Sequence, residues 1–304
     1  MYFITKRLLY AVVVVFCVLT VVFFLVRLTG DPTHHMVPIG ATQQEIDEMR
    51  HELGFDRPLY VQYVDYIKKA MRGDFGMSIR YEQPAMEIVL ERLPATMALT
   101  AVAFVFMVIF ALPLGILAAI RKNSFLDLLS SGAALFGQSV PPFWLGIVLI
   151  IFFSVKWPLF PTSGYGGLKH LILPGITLGA YSASLVTRMT RSSFLEVLGA
   201  QYVTTARAKG LSEFVVILKH SFRNAAIPIV TIIGLQVGPM LGGAIISEQV
   251  FAFPGMARLA VQAVLNRDFP IVQAFVVVVC ILIVMINLIV DVLYYFLDPR
   301  ISYE

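Results

Sequence analysis

The sequence predicts an all-helical integral membrane protein that crosses a bilayer about six times. Three observations predict it. First, 58% of the 304 residues are hydrophobic and only 14% are charged, whereas soluble domains sit nearer half apolar and a quarter charged. A soluble chain this apolar could not cover its core with polar surface. Lipid removes that requirement, because the outer faces of a helix bundle can stay apolar there. Second, the apolar residues gather into stretches of roughly 20, the length an α-helix needs to span the hydrocarbon core. Third, Lys and Arg punctuate those stretches unevenly, as they do in multi-pass membrane proteins.

The first segment, about residues 8–28, follows Lys6 and Arg7. Its apolar run is too long for a typical signal-peptide core, and no small-x-small cleavage site follows. It reads as a retained first helix within residues 1–28. Residues 29–93 then form a small helical subdomain. Thr42-Gln43-Gln44-Glu45 is a capping box. Ile46, Met49 and Leu53 line one face of the helix it opens, and Gly54 ends it. Pro58 starts a second helix through Lys69, with Tyr63, Tyr66, Ile67 and Ala70 available to pack. Gly73-Asp74-Phe75-Gly76 is a turn, and Pro84 starts a third helix.

The core, residues 94–297, carries five further spans at about 96–120, 131–155, 168–189, 225–247 and 270–297, followed by a tail at 298–304. The third span is interrupted by Gly137-Gln138-Ser139-Val140-Pro141-Pro142. The fourth is the weakest, with Pro174, Gly175 and Gly179 inside it. An even number of crossings puts both termini on one side. Lys6, Arg7, Arg121, Lys122 and the basic residues from Arg188 to Arg223 assign that side to the cytoplasm, and residues 29–93 to the outside.

Several function classes find no support. The net charge of +4 is a weak bias, and its scattered basic residues do not make a nucleic-acid surface. Cys17 and Cys280 lie inside apolar stretches, which gives no disulfide framework. His34 and His35 are adjacent, a spacing that does not converge two imidazoles on a metal, so they read as loop histidines and no metal site is expected. The chain has no glycine-rich phosphate loop ending in Lys-Ser/Thr, so it has no visible means of hydrolysing ATP. No nucleophile and base pair within the spans favours an intramembrane enzyme.

The informative stretch is the polar break between the fourth and fifth spans, from Gln201 to Pro228. It reads as a helix, then Gly210 at positive φ, then a second helix N-capped by Ser212. Arg207, Lys209, Lys219 and Arg223 keep it out of lipid. Val203, Ala206 and Leu211 give it an apolar contact surface. Spacing leaves two readings open, a docking element for another protein and a solvated loop.

This stretch resembles the cytoplasmic coupling segment of ABC-transporter permease subunits, in the version found in the dipeptide/oligopeptide/nickel import family. Matches run along the whole chain. They include Lys6-Arg7-Leu8-Leu9, Gly30-Asp31-Pro32, Leu53-Gly54-Phe55-Asp56-Arg57-Pro58-Leu59 and Gly73-Asp74-Phe75-Gly76. Leu173-Pro174 with Thr177-Leu178-Gly179, Glu248-Gln249-Val250-Phe251 with Pro254-Gly255, and Asp298-Pro299-Arg300 follow. The general permease pattern is Glu-Ala-Ala, three residues, Gly, nine residues, Ile-x-Leu-Pro. Aligned on Gly210, Thr204, Thr205 and Ala206 stand at the Glu-Ala-Ala positions, and His220 to Arg223 replace Ile-x-Leu-Pro. The peptide subfamily's pattern shares that departure, and the first permease of dipeptide and glutathione importers is the nearest type.

The resemblance implies a type I ABC importer permease fold in a bacterial cytoplasmic membrane. It implies coupling to ATPase subunits through Thr204, Thr205, Ala206, Arg207, Ala208, Lys209, Gly210, Leu211 and Ser212. The chain itself would bind no cofactor; ATP and Mg would sit on one or two partner ATPases. A second, homologous permease would complete the pathway. A solute-binding protein would dock outside, on residues 29–93 and on the loop near Glu248–Asp268. Peptides are the expected cargo, with nickel chelates or oligosaccharides as alternatives within the family.

Polar residues within spans are costly and face a cavity or another helix. Gln138, Ser139, Gln236 and Asn287 are the pathway candidates, with interhelical hydrogen bonding as the plainer reading. Asp291 suits an ion pair near the end of the last span. Gly234, Gly238, Gly242 and Gly243 have spacings that permit close helix contact and are expected to face a partner permease. The reading from a different class is an ion-coupled secondary transporter or channel acting without ATPase. Scarce intramembrane charge and the lack of an inverted repeat argue against it.

Overall fold

The computed structural model describes residues 2–28, 42–52, 54 and 56–297. His34, His35, the Gly30-Asp31-Pro32 and Asp298-Pro299-Arg300 motifs, Leu53, Phe55, and the side chains of Ile46, Met49 and Asp291 lie outside what is described. Among the described residues the chain is helical, without a strand. The helices are α1 (Tyr2–Leu28), α2 (Gln43–Glu52), α3 (Leu59–Ala70), α4 (Ala85–Ile120), α5 (Phe125–Ser139), α6 (Pro142–Lys156), α7 (Leu168–Leu198), α8 (Gln201–Ala208), α9 (Glu213–Val250), α10 (Met256–Leu265) and α11 (Phe269–Leu297). Five of them (α1, α4, α7, α9 and α11) are long and apolar enough to cross a membrane, and a bent pair makes a sixth candidate crossing.

The chain divides into two compact units, Met1–Ala95 with Gly255–Val284 and Thr96–Pro254 with Met285–Glu304. In the first, the capping box forms as expected. The Thr42 N–H donates to Glu45 Oε2 at 2.7 Å, and the Glu45 N–H returns to Thr42 Oγ1 at 3.4 Å. Gly54, Gly73 and Gly76 all take positive φ, which a turn demands and glycine accepts without a Cβ clash. The core joins Phe75, Ala85, Ile88 and Val89 to Met256, Leu259, Ile271 and Ala274. Buried Asp268 accepts from Ser78 Oγ at 2.5 Å, so a carboxylate far along the chain fastens the turn after α3.

The second unit is built on α7. α5, α6 and α9 all pack against it. Small residues bring α4 close to α7 as well: a Cβ on Gly179 would meet the Ala103 carbonyl of α4 at 2.7 Å, and one on Gly115 of α4 the Thr187 carbonyl at 2.7 Å. Asp127, 8% exposed, takes two hydrogen bonds from Arg191, at 2.6 and 2.8 Å, and a third from the Asn123 N–H. At the other end, Ser247 Oγ donates to the Pro174 carbonyl and Thr96 Oγ1 to buried Glu248.

Four expectations change. The third helix of residues 29–93 and the span expected at about 96–120 are not separate: α4 runs 36 residues without interruption, through Pro94. The third span is two arms, α5 and α6, bent by 107° at Val140-Pro141. Proline at 141 and 142 removes two backbone donors and holds the preceding residues extended. The weakest span, α7, is the most buried, with 67% of its apolar window inside the protein. It also continues to Leu198, which places Arg188 and Arg191 on a helix and not in a loop. Finally, a Cβ on Gly234 would meet Val290 of α11 at 2.6 Å and one on Gly243 would meet Leu178. Those glycines pack within the chain itself, whereas Gly242 faces open space.

Candidate functional site

α8 ends in a left-handed turn whose hydrogen bonds follow from the Gly210 conformation. The Gly210 N–H donates to the Arg207 carbonyl at 2.9 Å, and the Leu211 N–H to the Ala206 carbonyl at 3.4 Å. This is a Schellman cap, which requires positive φ at the residue after the C-cap. Gly210 has φ +78° and open space around a would-be Cβ, so conformation and not crowding demands glycine there. Ser212 follows in extended backbone at the N-cap of α9, though its side chain makes no cap bond.

Two features fix the elbow. Arg207 spans it to Glu213, Nε to Oε1 at 2.7 Å and Nη2 to Oε2 at 3.2 Å. Beneath it, Val203, Ala206 and Val216 are buried together against Val197 and Leu198. Val203 and Ala206 were expected on a contact surface, and Ala206 among the coupling residues. They instead hold α8 onto the end of α7 and the start of α9, because the elbow folds their side of the helix inward. Thr204, Thr205, Arg207, Ala208, Lys209, Gly210, Leu211 and Ser212 are all exposed.

The exposed face has apolar members beyond Leu211. Tyr202 is 42% exposed and Phe214 73%. Phe214 was not singled out from sequence, because Phe214-Val215-Val216 reads as one apolar run. The elbow sends Val216 inward and Phe214 outward. A π-helical turn, Val216–Ser221, then leads into the long part of α9, with buried Ser221 Oγ donating to the Val216 carbonyl at 3.0 Å. The helix that starts just after the elbow and the span it leads into are therefore one helical run.

The pathway candidates are not brought together. Gln138 accepts from Arg188 Nη1 at 2.7 Å, which is an interhelical bond. Ser139 and Asn287 are exposed, and Gln236 is buried in α9. A small cleft in this unit is lined instead by Pro142, Thr177, Tyr181, Ser182, Pro239 and Ser247, among others. The signal that could have found it is the proline break in α6 beside hydroxyl residues of α7. Among the described residues no three His, Cys, Asp or Glu side chains gather as a metal site.

Comparison with known proteins places this geometry. Residues 111–303 match the family described as binding-protein-dependent transport system inner membrane component, and residues 1–100 match the N-terminal family of such membrane components. The glutathione transport system permease protein GsiC of Escherichia coli (strain K12) is 44% identical over 303 residues, 99% of each chain. The protein of that name from Shigella flexneri serotype 5b is equally similar. Among solved structures, the inward-facing MetNI methionine ABC transporter shares the fold at a TM-score of 0.61 and 20% identity, over 70% of this chain and 97% of that one. An amino acid ABC transporter with histidines aligns at a TM-score of 0.52 and 16% identity, over 69% and 94%. The chain thus belongs to the binding-protein-dependent transport system inner membrane components, as a multi-pass permease of the ABC importer class.

Proposed function

We propose that the chain forms half of the translocation pathway of an ATP-driven importer for small peptides of the glutathione kind, and that α8 with the Gly210 elbow receives the motion of a cytoplasmic ATPase. The observation that carries the coupling half is the elbow's construction. Its outer face, from Thr204 to Ser212 with Tyr202 and Phe214, is exposed, while Val203, Ala206 and Val216 anchor it from within. A contact face on a rigid mount can transmit displacement. Because α9 leaves the elbow without a loop, a tilt of α8 reaches the span directly. Full-length similarity to glutathione permeases supports the peptide class.

In this reading ATP and Mg bind to one or two partner ATPases, and this chain contributes no nucleotide site. A second permease completes the pathway, and a solute-binding protein delivers cargo from outside. Both termini lie in the cytoplasm, as the Lys and Arg placement requires. ATP binding favours one of two states of the pathway, and the docked elbows must contact the ATPases differently in each for the energy to be coupled.

The test uses the complex co-expressed with its ATPases and second permease in liposomes. Phe214→Ser, at the centre of an exposed apolar contact, is expected to weaken ATPase retention by roughly 30-fold, about 2 kcal/mol, as at an interface hot spot. It should also abolish hydrolysis stimulated by the loaded binding protein. Unchanged retention together with unchanged stimulation would remove α8 as the coupling element. Stimulation by a nickel chelate or an oligosaccharide, and not by glutathione or dipeptides, would overturn the peptide assignment. Transport by this chain without ATPases would favour the secondary-transporter reading.

A further inference from the structure

The segment after α1 was expected to stand outside the membrane as a docking surface. The side-chain contacts of α3 place it lower. Tyr63 of α3 shares a 2.7 Å hydrogen bond with Thr20 of α1. Its ring stacks on Phe24 at 6.1 Å and meets Phe23 edge-on at 5.3 Å, and Tyr66 lies 5.4 Å from Phe23. The apolar window of α1 runs from Leu9 to Val26. Thr20 is therefore six residues inside its end, about 9 Å at 1.5 Å per residue. A helix packed on α1 at that level lies at the height of the outer end of the apolar run, where headgroups meet acyl chains.

The rest of α3 is patterned for that position. Tyr60 (73% exposed), Val64 and Met71 (74%) form an exposed apolar stripe. Their spacings of four and seven put them on one side of the helix, about a quarter turn from the face packed on α1. α1, on which α3 packs, is itself exposed and apolar at Val21, Phe24 and Leu25. Asp65, which pairs with Arg57 at 3.7 Å, and Lys69 lie on the opposite side. Lys68 borders the stripe, where its stem can lie along it and its charge reach anionic headgroups. Burial pushes the Tyr66 hydroxyl up to about 12, consistent with a site that water reaches poorly.

We propose that α3 is an interfacial helix, lying in the membrane surface with Tyr60, Val64 and Met71 at the boundary between headgroups and acyl chains, so that the occupant of this face is lipid and not the solute-binding protein. An apolar stripe, a tyrosine at headgroup level and a flanking lysine are what such helices need. The assignment is independent of which solute is carried.

The experiment places single tryptophans in the assembled transporter in liposomes, with Trp144 and Trp157 replaced by Phe. In Tyr60→Trp, phosphatidylcholine brominated near the headgroup is expected to quench emission by about twofold or more, as for an interfacial side chain, and aqueous iodide to have little effect. Met71→Trp should behave alike, and Asp65→Trp should show the reverse pattern. Iodide quenching of the Tyr60→Trp and Met71→Trp variants, without quenching by brominated lipid, would overturn the proposal. So would shielding that arises only when the solute-binding protein is added.

Discussion

α1 and α7 differ more than any other pair of spans. The apolar window of α1 has a mean hydropathy of 3.1 and is 22% buried; that of α7 has 1.2 and is 67% buried. α1 is a run of valine, leucine and phenylalanine with most of its side chains outside the packing of this chain. α7 is rich in glycine, serine and threonine, and its hydroxyls bond to its own backbone one turn earlier: Thr177 to Leu173, Ser184 to Ala180, Thr187 to Ala183. Hydropathy therefore reports how much of a helix faces lipid, not whether it lies in the bilayer. The helix that looks least like a span is the one on which α5, α6 and α9 pack.

That contrast can be broken first at Gly179. Gly179→Leu would drive a Cβ into the Ala103 carbonyl, which is backbone and cannot rotate away. The cost should exceed the ~1–3 kcal/mol of ordinary overpacking, and be read as loss of a folded, monodisperse complex in detergent. The next effect lies at the far end of α7. Asp127→Asn or Arg191→Gln alone should destabilise by somewhat less than the ~3–5 kcal/mol of a fully buried pair, because Arg191 keeps contact with its surroundings. The double variant should cost less than the two singles combined in thermal unfolding, a coupling that independent sites would not show. The smallest effect belongs to α1. Val13→Leu on its exposed face should shift stability by less than ~0.5 kcal/mol; a large loss there would mean that α1 is covered by protein.

Much of the architecture was legible before the structure. The spans announce themselves by length, and the capping box of α2 and the elbow at Gly210 are local devices whose residues prescribe their geometry. What was hidden depends on distant partners. Nothing within Gln201–Ala208 reveals that Val203 and Ala206 face inward, because that is decided by Val216 and by Val197 across the elbow. Arg191 reads as a loop cation until Asp127, far back in the chain, supplies a carboxylate. The helix begun at Pro84 and the span after residue 94 read as two elements, yet α4 passes through Pro94, as helices in membrane proteins can when neighbouring groups satisfy the freed carbonyl. Gly234 and Gly242 share a spacing rule and differ in what stands opposite.

The low hydropathy of α7 has a consequence for how the chain is made. A segment with so many hydroxyls and glycines gains little from entering lipid by itself. Synthesis runs from the N-terminus, so α5 and α6 reach the membrane before α7, and α9, which also packs on it, emerges only afterwards. α7 thus enters the bilayer with one flank covered and the other waiting. Its insertion is a cooperative act of translation, completed by a helix that the ribosome has not yet released.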